Sequence, residues 1–206
     1  MYTPPHFQSP EPWPEMLRRY SFGVLVSVHE GEVLTTHLPY RVAEDGGAVE
    51  VHMARANPHW QALENQRECR LVVQGEHAYV SPSWYSTTKS VPTWNYEAVH
   101  VDATAEVVRS PDAIWTMLTA MSDLFEDRDS TWDYNRLPER LRAGLLEEVI
   151  GVRLRVREVQ AKAKLSQNRS ESERRKVAAN LRDRGSHALA ARMLAVLEEV
   201  KEEDGP

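Results

Sequence analysis

The sequence predicts a mainly β protein, an antiparallel barrel or sandwich with helices inserted between and after its strands. Three observations lead there. Short alternating runs recur at close spacing, as in Ala48 to Met53, where Val49 and Val51 alternate with Glu50 and His52. Turn signals separate the runs, with His29-Glu30-Gly31-Glu32 and Asp45-Gly46-Gly47 both suited to hairpins. Helical signals are confined to bounded stretches, two of which open on a capping residue followed by proline: Asn57-Pro58 and Ser110-Pro111.

Met1 to Pro14 holds five of the twelve prolines together with Tyr2, Phe7 and Trp13, so an extended arm with apolar anchors is expected. A short helix around Glu15 to Tyr20 leads into strands Phe22 to Val28 and Val33 to Leu38, with Pro39 ending the second. After the strand Ala48 to Met53, the Asn57 cap starts a helix that continues to about Gln66. Arg70 to Gln74 reads as the next strand, and His77 to Ser81 and Tyr96 to Val108 as two more. Between these last two, Pro82 and Pro92 bracket a loop rich in aromatic residues. Its Trp84, Tyr85 and Trp94 suit either the wall of a cavity for a flat ligand or plain core packing. A helix from the Ser110 cap to about Phe125 and another from Leu137 to Glu148 follow. Val149 to Val159 alternates Ile150, Val152, Leu154 and Val156 with Arg153, Arg155 and Arg157, which describes a half-exposed strand with a basic outer face. Two polar helical runs, about Ser170 to Arg182 and Ser186 to Glu203, close the chain.

Composition narrows the function classes. The chain has 206 residues, enough for one main domain with appendages. It contains no apolar run of membrane-spanning length and its N-terminus lacks the pattern of a signal peptide, so a cytoplasmic location is expected. Cys69 is the single cysteine, which rules out an intramolecular disulfide and suggests a buried, inert thiol. Net charge is −6, but residues 153 to 184 carry eleven Lys or Arg against four acids, which makes that segment +7 and the remainder −13. Such a local basic surface suits DNA, an anionic cofactor or an acidic partner face.

The chemical motifs are few. Eight histidines are spread without metal-ligand spacing, and no metal site is expected. Nucleophile elbow, Rossmann fingerprint and P-loop are all missing from the sequence. The turn at Arg182 to Ser186 could belong to a helix-turn-helix, yet the following helix ends in acids that phosphates would repel. One segment does suggest a ligand. Arg55, placed between the strand ending at Met53 and the helix cap at Asn57-Pro58, suits a phosphate cradle, since a helix N-terminus and a guanidinium fork both favour an anion. The same spacing also describes an ordinary surface arginine beside a cap.

Several words of the sequence resemble the PaiB family, negative regulators of protease synthesis and sporulation built on the FMN-binding split barrel. The matching segments are MYTPPHF at residues 1–7, THLP at 36–39, HMARANPHW at 52–60, AYVSPSWY at 78–85, VPTWNYEAVHV at 91–101 and KAKLSQNRS at 162–170. The resemblance implies an α+β fold: a six-stranded antiparallel split barrel with peripheral helices, covering residues 1–165, and a C-terminal helical extension over 166–206. It implies FMN as cofactor and a homodimer with cofactor sites at the interface. Arg55 would bind the phosphate, while Thr36, His37, His52 and Met53 would border the flavin from two adjacent strands. Trp94, Asn95, Lys164, Gln167, Asn168 and Arg169 would approach from the other side, some across the dimer interface. The implied function is negative transcriptional regulation, acting on DNA directly or indirectly. An FMN-dependent oxidoreductase related to pyridoxamine phosphate oxidases is the alternative, and a haem-binding split barrel a third.

Overall fold

In a computed structural model of the protein, residues 1–66, 68–86, 90–127 and 129–203 are described. Six strands close into an antiparallel barrel in the order β1-β2-β3-β6-β5-β4. They are β1 (Phe22–His29), β2 (Glu32–Val42), β3 (Ala48–Ala54), β4 (Glu68–Val80), β5 (Thr93–Val108) and β6 (Val149–Lys164). Among the described residues, six α-helices accompany them: α1 (Trp13–Arg19), α2 (His59–Gln66), α3 (Pro111–Phe125), α4 (Glu139–Glu148), α5 (Glu171–Asp183) and α6 (His187–Glu203). The expected α+β class and antiparallel barrel are therefore what the chain forms. Pairing of all six strands also removes the exposed edges that an open sheet would present.

The hairpins sit where the turn residues put them. Glu30 and Gly31 both take positive φ, at 51° and 84°, and reverse the chain so that His29 pairs with Glu32 and Phe22 with Pro39. Pro39 does not end β2, which continues to Val42 and joins β3 through Tyr40–Val51, Arg41–Glu50 and Val42–Val49. The reason lies in the ladder. Tyr40 N–H donates to Ser21 O at 3.0 Å, so the neighbouring Pro39 nitrogen points away from β1, toward the side where β3 pairs only from Tyr40 onward. A missing N–H costs nothing there.

The long strands differ from expectation in extent. Arg70 to Gln74 and His77 to Ser81, read separately, form the single strand β4. β5 begins at Thr93 and β6 runs on to Lys164. The arm also departs from a plain extended segment: Pro5–Phe7 makes a 3₁₀ turn, Gln8 bridges to Lys162, and α1 already starts at Trp13.

By packing, the chain divides into two compact units. One comprises Met1–Trp13, Gln74–Val99 and Gln160–Pro206, the other Pro14–Val73 and His100–Val159. The second unit has an apolar interior of Leu25, Leu38, Val49, Val51, Leu71, Val101, Ile150, Val152 and Leu154. Gly23 matters there, because a Cβ on it would lie 3.0 Å from Val72 O and 3.1 Å from the side chains of Leu71 and Val73. α3, capped by Ser110, adds Ile114, Met117 and Leu118 packed with Val108. The first unit is built on α5 and α6, whose Val177, Ala178, Leu181, Leu189, Ala190 and Met193 pack with Val80, Tyr85, Ala163 and Leu165. Tyr85 is thus core and Trp84 is packed against that core.

The basic outer face of β6 is neutralised in place. Arg153 bonds Glu50, Arg155 bonds Glu106 and Arg157 bonds Glu68. Glu50 is nearly buried and accepts from Arg41 as well. Cys69 is buried as expected, and burial followed by the charge of Asp102 pushes its thiol up to about 12, which leaves it unreactive.

Candidate functional site

The residues singled out from sequence fall into two sets, one in each packing unit. Thr36, His37, His52, Met53 and Arg55 belong to the second unit, and Trp94, Asn95, Lys164, Gln167, Asn168 and Arg169 to the first.

In the second unit, Asn57 closes the start of α2, its Oδ1 accepting from His59 N–H at 3.0 Å. That turn carries the His59 ring inward to 2% exposure, where Nε2 lies 2.9 Å from Ser27 Oγ on β1 and Nδ1 lies 2.8 Å from Thr36 Oγ1 on β2. Asn57 Nδ2 also donates to Thr36 Oγ1, at 3.1 Å. Burial holds the His59 ring below its ordinary pKa, so it is neutral near pH 7. Neighbouring His37 is exposed on β2 opposite Val24. His52 stands half-buried on β3 opposite Gly151, its pKa lowered by burial and its Nδ1 without a hydrogen-bond partner among the described residues. Met53, opposite Ile150, is buried.

Arg55 leaves β3 and turns to the end of α4. Its Nε donates to Glu147 O at 2.7 Å, its Nη2 to Val149 O at 2.8 Å and Leu146 O at 3.2 Å, and its backbone N–H to Glu148 O at 2.7 Å. A helix C-terminus leaves carbonyls unpaired and carries partial negative charge, so a guanidinium is well matched to it. Trp60 Nε1 donates to the Arg55 carbonyl at 2.8 Å and fixes the backbone from the other side. Much of the expected phosphate fork is therefore engaged with carbonyls, while Nη1 makes no hydrogen bond among the described residues.

In the first unit, Trp94 is 52% exposed on β5, with His77 at 6.3 Å and Tyr79 edge-on at 6.2 Å between ring centroids. Asn95 is turned the other way. At 1% exposure, its Nδ2 donates to Ser166 Oγ at 2.9 Å and to Met193 Sδ at 3.4 Å. Lys164 Nζ donates to Trp94 O at 2.6 Å and to Thr93 Oγ1, and burial followed by the charge of Lys162 lowers its pKa. Gln167 closes the turn after β6 by accepting from Leu165 N–H at 2.7 Å and donating to Ala163 O. Arg169 lies over the Tyr85 ring at 4.6 Å, and Asn168 is exposed.

Sequence reasoning did not single out Ser27, Asn57 and His59 as one network. Asn57-Pro58-His59 announces a helix start, but the partners of the His59 ring come from strands 32 and 23 residues away. No local pattern encodes that meeting.

The barrel and these polar groups define a split-barrel cofactor protein. The family model described as "Putative FMN-binding domain" matches residues 1–158, and the chain belongs to that family. FMN is its cofactor. The chain is 35% identical over 179 residues to "Protease synthase and sporulation protein PAI 2" of Bacillus subtilis, covering 84% of this chain and 85% of the relative. It is 31% identical over 160 residues to the uncharacterized protein YKL070W of Saccharomyces cerevisiae, covering 62% of this chain and 92% of that one. Among solved structures, an FAD and heme binding protein of Mycobacterium smegmatis shares the fold at TM-score 0.62 and 17% identity, over 81% of this chain and 77% of its own. The conserved hypothetical protein Rv2991 of Mycobacterium tuberculosis does so at TM-score 0.59 and 13% identity, over 83% and 95%.

The donor set of the second unit fits a phosphorylated flavin. Among the described residues it offers a fixed guanidinium with one uncommitted nitrogen at Arg55, the hydroxyl of Thr36, and the buried, unpartnered ring nitrogen of His52. Those are cation and hydrogen-bonding groups of the kind a phosphate and a heteroaromatic ring require. The match to residues 1–158 includes them and stops short of Lys164, Gln167, Asn168 and Arg169.

Proposed function

We propose that this protein is an FMN-binding negative transcriptional regulator of the PaiB type that acts without direct contact to DNA, as a cytoplasmic homodimer with its cofactor sites at the interface. The observation that carries the indirect mode is the pairing of its basic segment. Arg153, Arg155 and Arg157 on β6 meet Glu50, Glu106 and Glu68, and Arg175 and Lys176 on α5 meet Glu171 and Glu173. Arginines already paired with acids release few counterions from a phosphate backbone, and the whole chain carries −6. The name of the Bacillus subtilis relative, "Protease synthase and sporulation protein PAI 2", supports a regulatory role. The aromatic patch of Trp94, Tyr79 and His77, exposed on β4 and β5, supports an association surface. No helix among the described residues is long and apolar enough to cross a membrane.

FMN supplies a ring that accepts and returns electrons, and the protein contributes its placement. Thr36, His37, His52, Met53 and Arg55 hold the ring and phosphate in this reading. A gel-shift titration at low salt tests the regulatory mode. It should show no retarded DNA band, and a complex whose affinity falls steeply with salt would establish direct contact instead. Light scattering of the FMN-loaded protein should return the dimer mass.

A further inference from the structure

The network around His59 can be solved for its protons. His59 is neutral and has one ring proton to place, either on Nδ1 facing Thr36 or on Nε2 facing Ser27. With the proton on Nε2, the ring donates to Ser27 Oγ, and the Ser27 hydroxyl must donate its own proton elsewhere. Ser27 is 4% exposed and its Oγ makes no other hydrogen bond among the described residues, so that proton would be buried without an acceptor. With the proton on Nδ1, Ser27 donates to the bare Nε2 and every buried group is satisfied. Thr36 Oγ1 then receives two donors, Asn57 Nδ2 and His59 Nδ1. Both of its lone pairs are filled, so its own proton must point out of the network.

We propose that the chain Ser27–His59–Thr36, with Asn57, makes the Thr36 hydroxyl an obligatory hydrogen-bond donor and that its acceptor is an oxygen or nitrogen of bound FMN. The inference rests on the reading that Thr36 borders the cofactor. His59 is a positioning residue in this arrangement: it orients a hydroxyl and touches no cofactor atom itself. Thr36 is half-buried, so the outward proton has somewhere to go. A donor of fixed polarity favours a flavin atom that carries negative charge over one that carries a proton.

Two measurements test this on the full chain. In ¹⁵N-histidine-labelled protein, the His59 nitrogens should report a protonated Nδ1 and a bare Nε2 near pH 7. The opposite tautomer would overturn the proposal, since Thr36 would then have to donate to the ring. Titration with FMN should show about tenfold weaker binding for Thr36→Val, the loss of roughly one hydrogen bond, and recovery to within about threefold for Thr36→Ser, which keeps the hydroxyl. If the acceptor lies on the ring system, Thr36→Val should also shift the visible flavin spectrum, which a purely structural role would leave alone. Unchanged binding and spectrum in Thr36→Val, with the expected tautomer in place, would leave the proton assignment standing and remove Thr36 from the cofactor site. Riboflavin locates the acceptor: an equal loss assigns it to the ring system, a loss confined to FMN to the phosphate.

Discussion

Arg55 Nε donates to the carbonyl of Glu147 at 2.7 Å, tying the end of β3 to the end of α4. With Nη2 on Val149 O and Leu146 O, the guanidinium serves three of the carbonyls that a helix C-terminus leaves open. Arg55→Lys should therefore lose stability, by about 1 to 2 kcal/mol, because an ammonium cannot reproduce the planar fork. Urea unfolding of the cofactor-free protein reads this directly, and an unchanged midpoint would mean that the helix end is satisfied without Arg55.

Glu50 is the shared acceptor of two strands. Its carboxylate, 5% exposed, takes Arg41 at 2.7 Å and Arg153 at 3.0 Å. Removing it in Glu50→Ala leaves two partly buried guanidinia without their counter-charge, at a cost of roughly 3 kcal/mol. Glu50→Gln, which keeps the shape and one acceptor oxygen, should cost less. Chemical denaturation would order the three proteins, and equal midpoints would show that the pairs contribute nothing net.

Asn95 separates packing from binding in the first unit. Its amide is bonded to Ser166 and Met193 inside the core of α5 and α6. Asn95→Ala should destabilise the protein by about 1 to 3 kcal/mol through the stranded Ser166 hydroxyl and the lost volume. A variant with wild-type thermal stability would show that the amide is not needed to hold the unit.

Acid should weaken the fold before the carboxylates titrate. Burial is the main cause that lowers the pKa of His52, His59 and His100. Unfolded chains take up those protons at about pH 6.5, the folded protein only lower, so the unfolded state binds more protons in that window and stability falls as pH drops through it. Melting temperature should be flat from about pH 8 to 7 and decline from about 6.5 downward. A melting temperature that rises between pH 7 and 5.5 would contradict these assignments.

Gly23 tests the barrel closure. Its missing side chain lets β1 approach β4, with Val72 O only 3.0 Å from where a Cβ would stand. Gly23→Ala should cost about 1 to 3 kcal/mol by forcing that backbone contact apart. Wild-type stability in the variant would mean that the strands can part there without loss.

Much of this fold was legible because it is written in local chemistry. The Asp45-Gly46-Gly47 turn, the Ser110-Pro111 start of α3 and the alternation of β6 each follow from residues a few positions apart. Boundaries that depend on a partner strand were not. Pro39 stops a strand only where a neighbour needs its N–H, and which side of β2 is paired cannot be read from Pro39 itself. The site divides in the same way. Arg55 stands out by its position between a strand and a cap, whereas its bonds to the end of α4 join residues about ninety positions apart. His59 gave no local sign, because Ser27 and Thr36 reach it only once β1 and β2 have paired. The arginines of β6 gave their alternation but not their neutrality, since the acids that face them come from β3, β4 and β5.

The most direct test is a fluorescence titration of FMN against the wild-type protein and Arg55→Ala side by side. Wild-type protein should saturate near one FMN per chain. The variant should bind about 10- to 100-fold more weakly, the loss of charge-assisted bonds worth about 1.5 to 3 kcal/mol. Superimposable titration curves would contradict the assignment of Arg55 to the cofactor and leave it only the end of α4 to hold.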